Sequence, residues 1–276
     1  MSIRLIFSDV DGTILPRGGR ISDRTRQAVQ TAVSGGVPFV ICSGRWYISA
    51  LPVAKELGIE NAENAYMIVA NGGAIVRMDG SIVKEWLTPT DEAWRAYEIM
   101  KKYDVMRNAF VRSAVYRVNT RAIRKKPRGL DGYLGDVYKI VNDDVDIFER
   151  EGLTTPYKLE AYGEDLEMMA KLKQELLDAG YSVSSAYADN MEIMHGGYGK
   201  GTAVKWLAEH LGVSREECMA FGDNTNDQSM LDAVGWSCAV ENAVESLKNS
   251  ARIVTPPCDE DGVAQTIEKA LRGEIG

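Results

Sequence analysis

Short apolar runs alternate with segments of helical periodicity in the first third of the chain. Three such runs end in polar clusters, and they cover residues 3–7, 37–42 and 66–70. Helical segments follow the first two runs, and Ser22 or Asp23 can cap the first of these helices. Apolar strands that alternate with helices indicate a parallel sheet covered on both faces. We therefore predict an α/β fold with a Rossmann-like, doubly wound parallel sheet.

The pattern changes between about Leu87 and Asn190, where the chain is richer in tyrosine and charge. Residues 164–179 in this stretch have apolar side chains at helical spacing, which predicts a helix. After Gly199 the short apolar runs return, at residues 218–221, 236–240 and 252–254. This order predicts two domains. Residues 1–86 and 191–276 form the core, and residues 87–190 form an inserted α+β domain.

Composition narrows the classes of partner. The 276-residue chain has a net charge of −8 and a pI of about 5.0, which argues against nucleic acid or an anionic membrane as the partner. The N-terminal residues show no basic region followed by a long apolar stretch, so neither a signal peptide nor a membrane span is expected. Four cysteines without a CxxC pair are typical of reduced thiols in a cytoplasmic protein.

Carboxylates follow two of the predicted strands. Asp9 and Asp11 come directly after the first apolar run, and Asp223 and Asp227 come after the run at 218–221. Ligands of open parallel sheets bind at the carboxyl ends of the strands, so these four groups are expected to converge. Carboxylates that share a crevice repel one another unless a cation neutralises them. Oxygen ligands that are few in number favour Mg²⁺.

Other polar residues occupy similar positions. Ser43-Gly44-Arg45 follows the second run, and Asn71 follows the third. Lys200 begins a predicted helix, where a bound anion would explain a cation at the positive end of the dipole. Each has a simpler interpretation: Ser43 as a helix cap, Lys200 as a solvated surface residue, and Arg45 and Asn71 as loop supports.

Two other ligand motifs are excluded by their spacing. In a calcium loop that starts at Asp9, the twelfth residue is Arg20 instead of glutamate. In one that starts at Asp223, the sixth residue is Gln228 instead of glycine. The segment around Lys200 lacks the serine or threonine that follows the lysine of a phosphate-binding loop.

Together the motifs resemble a known family. Four ordered motifs resemble those of the haloacid dehalogenase (HAD) superfamily: Asp9-Val10-Asp11-Gly12-Thr13, Ser43-Gly44-Arg45, Lys200-Gly201 and Gly222-Asp223-Asn224-Thr225-Asn226-Asp227. The insertion between the second and third motifs is similar in place and size to a type IIB cap domain. Within the superfamily, the chain most resembles the Cof-type sugar-phosphate phosphatases of subfamily IIB.

The resemblance implies roles for the carboxylates. Asp9 is expected to be the nucleophile and a ligand of Mg²⁺. Asp11 is expected to be the general acid and base, and to give the metal its backbone carbonyl. Asp223 is expected to complete the metal site, and Asp227 is expected to lie beside it, in contact with the ligands of the metal.

The resemblance also implies a phosphate site. Ser43 and the amide of Gly44 are expected to bind the phosphoryl oxygens. Lys200 is expected to neutralise the phosphate and the nucleophile, and Asn226 to lie near the phosphate. The implied activity is Mg²⁺-dependent hydrolysis of small phosphate monoesters, such as sugar phosphates, through an aspartyl-phosphate.

Three alternatives to this activity remain. The first is a phosphomutase or phosphotransferase of the same fold, which would use the same residues. The second is a phospho-accepting signalling domain, which the inserted domain and Asp11 disfavour. The third is an inactive binding module, which the presence of Asp9 and Asp11 disfavours. The sequence carries no signal of oligomeric state.

The predicted cap contains a basic run, made up of Arg117, Arg121, Arg124, Lys125, Lys126 and Arg128. Runs of charge are typical of a solvent-exposed face, and that is the favoured interpretation here. The alternative is that one or two of these residues bind an acidic or second phosphate group of the substrate.

Overall fold

The computed structural model describes residues 3–112, 115–118, 138–141, 155–185 and 188–275, with the stretch 138–141 described by its backbone only. The chain divides into two compact units. The first unit consists of Met1–Glu85 and Gly199–Gly276, and the second consists of Trp86–Tyr198. The second unit is therefore an insertion into the first, and we call it the inserted unit.

Strands and helices are numbered along the chain. The strands are β1 (Leu5–Ser8), β2 (Phe39–Cys42), β3 (Tyr66–Val69), β4 (Ala74–Arg77), β5 (Ile82–Glu85), β6 (Met106–Phe110), β7 (Val115–Val118), β8 (Tyr138–Val141), β9 (Lys158–Tyr162), β10 (Ser182–Ser184), β11 (Asn190–Met194), β12 (Cys218–Gly222), β13 (Trp236–Val240) and β14 (Ile253–Thr255). The helices are α1 (Asp23–Ser34), α2 (Tyr47–Leu57), α3 (Thr90–Met100), α4 (Leu166–Asp178), α5 (Lys200–His210), α6 (Gln228–Leu231), α7 (Glu245–Ser250) and α8 (Gly262–Leu271).

The first unit contains an eight-stranded sheet in the order β14-β13-β12-β1-β2-β3-β4-β5. The six strands from β14 to β3 are parallel, which confirms the predicted α/β fold. Strands β4 and β5 are antiparallel, and their hairpin contains a turn at Asp79 and Gly80. The central strands β1, β2 and β12 are wholly buried because helices cover both faces of a doubly wound sheet.

Local signals explain the first helix. The Ser22 hydroxyl caps α1 by accepting the backbone N–H of Thr25 at 3.0 Å, and Gly35 ends the helix. Its small side chains Ala28 and Ala32 are buried against the rest of the unit. Among the described residues, no helix is both long and apolar enough to cross a membrane. The four cysteines are buried free thiols, as the sequence predicts.

The inserted unit has its own six-stranded sheet, in the order β10-β11-β9-β6-β7-β8. Its described pairs are antiparallel, except for the parallel pair of β7 with β8. One side of β9, through Leu159 and Ala161, belongs to a core that includes Tyr97 of α3 and Leu172 of α4. The helix predicted at 164–179 is confirmed as α4.

The end of the inserted unit differs from the sequence expectation. The unit ends after Tyr198, whereas a boundary after Asn190 was expected. Strand β11 pairs with β9 and β10 through residues 190–194, so these residues belong to the inserted sheet. The apolar and polar residues at positions 190–194 do not indicate the strands with which this segment pairs.

The other face of the inserted sheet carries buried polar residues. Asn108 donates to Glu160 at 2.7 Å, and the Nε of Arg117 donates to Asn108 at 2.9 Å. Lys158 pairs with Glu192, and both are buried. Burial raises the pKa of Glu160, and Glu192 adds to this effect in spite of nearby Lys158.

The basic run was expected to lie on a solvent-exposed face. For its first member, Arg117, this expectation is wrong, because Arg117 belongs to the buried network. Arg117 is 8% exposed and lies within strand β7. The other five basic residues of the run lie outside the described residues.

Candidate active site

Three carboxylates meet at the carboxyl ends of two neighbouring strands. Strand β1 pairs with β12 so that Ser8 lies opposite Phe221, and the next residue, Asp9, donates its N–H to the Phe221 carbonyl at 3.0 Å. One oxygen from each of Asp9, Asp223 and Asp227 lies within 4.8 Å of the others. We call these three residues the acidic trio. Their adjacency follows from the register of two parallel strands.

Lys200 lies inside this cluster. Its ammonium is 2.5 Å from an oxygen of Asp9 and 2.6 Å from an oxygen of Asp227, and the side chain is fully buried. Helix α5 begins at Lys200, and the next amide, of Gly201, donates to the Ser229 hydroxyl at 3.1 Å. Lys200 is therefore a partner of the trio and not the solvated surface residue of the simpler interpretation.

The trio carries more negative charge than Lys200 neutralises. Burial raises the pKa of Asp9 well above its ordinary value despite Lys200, and the neighbouring carboxylates of Asp227 and Asp223 raise it further. Burial, followed by Asp227, raises the pKa of Asp223 to about 7. Burial alone would lower the pKa of Lys200, but Asp227 and Asp9 hold it well above its ordinary value.

This charge imbalance fits a hard cation. Buried carboxylates in excess of their cationic partners are stabilised by a metal ion, and an all-oxygen set suits Mg²⁺. The donor chemistry of the trio therefore agrees with the metal that the sequence motifs predict.

The trio members are not equivalent as ligands. One oxygen of Asp227 accepts the backbone N–H groups of Asp223 at 2.9 Å and Asn224 at 3.0 Å, while the other accepts Lys200. Because its two oxygens already bind the loop amides and the lysine, Asp227 holds the neighbouring residues in place. Asp9 and Asp223 are the members best placed as metal ligands. Gly222 permits this turn, since a Cβ there would lie 2.5 Å from that of Asp227.

The fourth carboxylate, that of Asp11, adds to the raised pKa of Asp9, but it pairs with Arg45 and not with Lys200. Asp11 is half-exposed, and its two oxygens accept a two-pronged contact from Arg45: Nε at 2.8 Å and Nη2 at 2.6 Å. Three of the four expected carboxylates therefore have oxygens within 4.8 Å of one another, and the side chain of Asp11 is not among them. Asp11 pairs instead with Arg45, for which the sequence indicated no role beyond supporting a loop.

Ser43 and Gly44 lie in the loop after β2, the neighbour of β1 in the parallel sheet. Ser43 is buried, and its hydroxyl accepts the N–H of Arg45 at 3.2 Å. Helix α2 begins only at Tyr47, with Trp46 as its cap residue, so Ser43 does not cap the helix. The loops that carry Asp9 and Ser43 follow adjacent strands and lie at the same edge of the sheet.

Comparison with known proteins identifies the family. A family model described as haloacid dehalogenase-like hydrolase matches residues 6–267. The chain belongs to this family. The membership that the four ordered motifs indicated is confirmed.

Individual relatives match this hydrolase along its length. The Streptococcus pyogenes protein M6_Spy0533 is 31% identical over 98% of each chain. The Bacillus subtilis protein named 5-amino-6-(5-phospho-D-ribitylamino)uracil phosphatase YwtE is 28% identical over 99% of each chain. The structure of the HAD subclass IIB sugar phosphatase BT4131 superposes with a TM-score of 0.82, over 99% of this chain and all of that one. At 22% identity, this last match shows the shared fold.

The hydrolase has a strained loop beside Lys200. Ala70 and Asn71, which follow β3, have φ angles of 50° and 56°, and Gly72 has a φ of 92°. A Cβ on Gly72 would lie 2.3 Å from the carbonyl oxygen of Gly199, so only glycine fits against the start of α5. Left-handed residues other than glycine are costly and often occur at functional sites.

The strained loop also holds Asn226. The Asn226 side chain, predicted to lie near the phosphate, donates to the Asn71 side chain at 3.2 Å. The backbone N–H of Asn71 donates to the Ser43 carbonyl at 3.0 Å. Asn71 therefore links the loop of Asn226 to that of Ser43.

Sequence reasoning missed two supporting residues. The hydroxyl of Thr13 donates to Asp223 at 3.2 Å. The Asn242 side chain donates to the Gly12 carbonyl at 2.8 Å and accepts the N–H of Cys258 at 2.8 Å. Thr13 belongs to the first motif, but no role was assigned to it. Asn242 could have been suspected because, like the predicted site residues, it closely follows an apolar strand, β13.

Proposed function

We propose that this hydrolase is a Mg²⁺-dependent phosphatase that cleaves small phosphate monoesters, such as sugar phosphates, through an aspartyl-phosphate on Asp9. The observation that carries the proposal is the buried Asp9 carboxylate, held by Lys200 beside Asp223. The family membership supports the same reaction class. Phosphoryl transfer depends mainly on positioning and charge neutralisation, and this cluster is suited to provide both.

The chemistry assigns each residue a task. A carboxylate oxygen of Asp9 attacks phosphorus, and the bond from phosphorus to the leaving oxygen breaks. Asp11 gives its proton to that leaving oxygen. In the second half, water attacks the aspartyl-phosphate, Asp11 takes a proton from the water, and Asp9 is released as a carboxylate. Lys200 holds the Asp9 carboxylate in place throughout.

The phosphate site uses neighbouring donors. Ser43 and the Gly44 amide bind the phosphoryl oxygens, and Asn226 lies at the same edge of the sheet. Asp9, Asp223 and the backbone carbonyl of Asp11 would hold Mg²⁺, which would supply charge neutralisation for the transferring group. A net charge of −8 disfavours long polyanionic substrates. The name of the relative YwtE, which is that of a phosphatase of a small phosphorylated metabolite, supports the proposed substrate class.

The test is phosphate release from a panel of phosphorylated metabolites with Mg²⁺, without a bisphosphate activator. We expect release from at least one small ester, and its loss in the Asp9→Asn variant, because an amide is not a nucleophile. Asp79→Asn is the matched control: Asp79 accepts the N–H of Ser81 in a surface turn, and asparagine can do the same. Wild-type turnover in Asp9→Asn would contradict the covalent mechanism. Transfer to a second sugar without release to water would indicate a phosphomutase.

A further inference from the structure

Arg45 holds Asp11 through a planar contact. Its Nε and Nη2 atoms donate to the two carboxylate oxygens of Asp11 at 2.8 and 2.6 Å. Such a two-pronged contact fixes the plane of the carboxylate as well as its position. Lysine could not replace it, since an ammonium is a point donor without a planar fork.

Arg45 itself is anchored by the loop around it. Its Nη1 donates to the carbonyl of Ser49 in α2 at 3.3 Å. Its backbone N–H donates to the Ser43 hydroxyl, and its carbonyl accepts the N–H of Ala70 at 2.9 Å. Arg45 is 18% exposed at its side chain, whereas Asp11 is 50% exposed. The arginine is therefore the anchored partner, and the aspartate is the partner that it orients.

The contact limits where Asp11 can carry a proton. A guanidinium has donors and no acceptor, so the hydrogen of a protonated Asp11 must point away from Arg45. The edge of the carboxyl group that faces away from the arginine is then the edge that exchanges the proton.

We propose that Arg45 is a positioning residue for proton transfer: it fixes the plane of the Asp11 carboxyl group so that its proton is directed at the leaving oxygen of the substrate. This inference rests on the proposed function, in which Asp11 is the general acid. It predicts that Arg45 matters most for substrates whose leaving group needs a proton.

The test compares two classes of substrate in the full-length protein. p-Nitrophenyl phosphate has a leaving group that departs without protonation, while an alkyl ester such as a hexose phosphate needs an acid. The quantity to measure is kcat/KM, which covers the steps up to departure of the leaving group. Arg45→Ala is expected to lose about tenfold more kcat/KM on the alkyl ester than on the aryl ester, part of the usual worth of general acid catalysis.

Three further measurements separate positioning from a structural role. In an Asp11→Asn background, Arg45→Ala should cause little additional loss on the alkyl ester, because the acid it positions is gone. Arg45→Lys should recover only part of the loss. Added methylguanidinium should raise the activity of Arg45→Ala but not that of Asp11→Asn. Arg77→Ala, which removes a guanidinium stacked on Tyr66 in the same unit, is the matched control and should keep the wild-type ratio.

The outcomes distinguish the inference from the function on which it rests. Equal losses of Arg45→Ala on both esters, or additive losses with Asp11→Asn, would overturn the positioning role. If Arg45→Ala does not fold by circular dichroism, the same comparison with Arg45→Lys decides. Failure of the wild-type protein to hydrolyse either ester would instead count against the proposed function.

Discussion

At the scale of single residues, Lys200 links the loop after β1 to the loop after β12. It donates to Asp9 after β1 and to Asp227 after β12 from a fully buried position. Removing one partner of a buried ion pair leaves the remaining charges unpaired in a medium that solvates them poorly. The cluster therefore matters for folding as well as for chemistry.

The Lys200→Met variant is expected to lose both activity and stability. Without the ammonium, Asp9 and Asp227 are buried beside Asp223 with no cation in contact, so the free energy of unfolding should fall by about 3–5 kcal/mol in Mg²⁺-free buffer. Urea denaturation measures this change. Lys205→Met is the control, since Lys205 is an exposed residue of the same helix. A loss below about 1 kcal/mol would mean that the pair is not the main stabilising contact of the trio.

The sequence predicted residues better than it predicted side-chain contacts. Asp9 and Asp223 were expected to converge because they follow strands of a parallel sheet, whose carboxyl ends meet at one edge. Lys200 was singled out as a cation at the start of a predicted helix and by its place among the ordered motifs. The contact of Asp11 with Arg45 was not predicted, because it depends on the orientation of two side chains in different loops. Asn242 was missed for the same reason, as its partner Gly12 lies 230 positions away.

At the scale of elements, the turn after β3 packs closely against the start of α5. Gly72 has a φ of 92° and packs on the backbone of Gly199 and Lys200. Backbone strain and steric conflict are both present at this position. They can be separated by comparison with Gly36, which has a φ of 83° and no heavy atom within 4 Å of a Cβ built there.

Gly72→Ala and Gly36→Ala form a matched pair. Both place alanine in a left-handed conformation, which costs roughly 1–2 kcal/mol. Gly72→Ala adds a conflict with the Gly199 carbonyl, so its total loss of stability should exceed that of Gly36→Ala by about 1–3 kcal/mol. Gly72→Ala should also lower activity by displacing Lys200, whereas Gly36→Ala should not. Chemical denaturation and phosphate release measure the two effects. Equal stability losses in both variants would show that the turn can move without cost.

The elements of the first unit could be predicted because burial leaves a simple pattern. Strands covered on both faces are uniformly apolar, and β1, β2 and β12 follow this rule. The inserted sheet lacks such a signal, since buried Lys158 and Glu192 occupy one face. A sequence pattern assigns such residues to solvent, as it did for Arg117. Burial of paired charges depends on tertiary contacts that periodicity does not encode.

At the scale of the whole molecule, the inserted unit interrupts a sheet that is complete without it. The eight strands of the first unit pair only with one another among the described residues. The inserted unit likewise has its own sheet and its own apolar core. Units with separate cores are expected to fold with little mutual dependence.

Replacement of residues 86–198 by a flexible glycine-serine linker tests this independence. The first unit should remain folded, with cooperative unfolding and the circular dichroism of an α/β protein. We propose that the inserted unit sets the preference among phosphate esters, so the shortened protein should change or lose that preference. Assays on the metabolite panel measure the preference. An unfolded product, or an unchanged ranking of substrates, would contradict this division of roles.

Mg²⁺ should link the site to the stability of the whole chain. A ligand that binds only the folded state raises the free energy of unfolding by RT ln(1 + [L]/Kd), or about 2.7 kcal/mol at a concentration of 100 Kd. The buried trio, with its excess of negative charge, exists only when β1 and β12 are paired, so the ion should bind the folded state. Thermal unfolding with increasing MgCl₂ measures the effect without any substrate, and excess chelator should abolish both the stabilisation and the activity.

Two variants assign this effect to the trio. Asp223→Asn should lose most of the Mg²⁺-dependent stabilisation, because an amide binds the ion weakly and removes one negative charge from the site. It should at the same time unfold at a higher temperature than the wild type when Mg²⁺ is absent, since Asp223 and Asp227 no longer repel each other. Asp232→Asn, an exposed change nearby, should respond to Mg²⁺ as the wild type does. Equal stabilisation of all three proteins by Mg²⁺ would place the ion elsewhere on the chain. Opposite shifts with and without the metal would be hard to explain by any general effect of the substitution on packing.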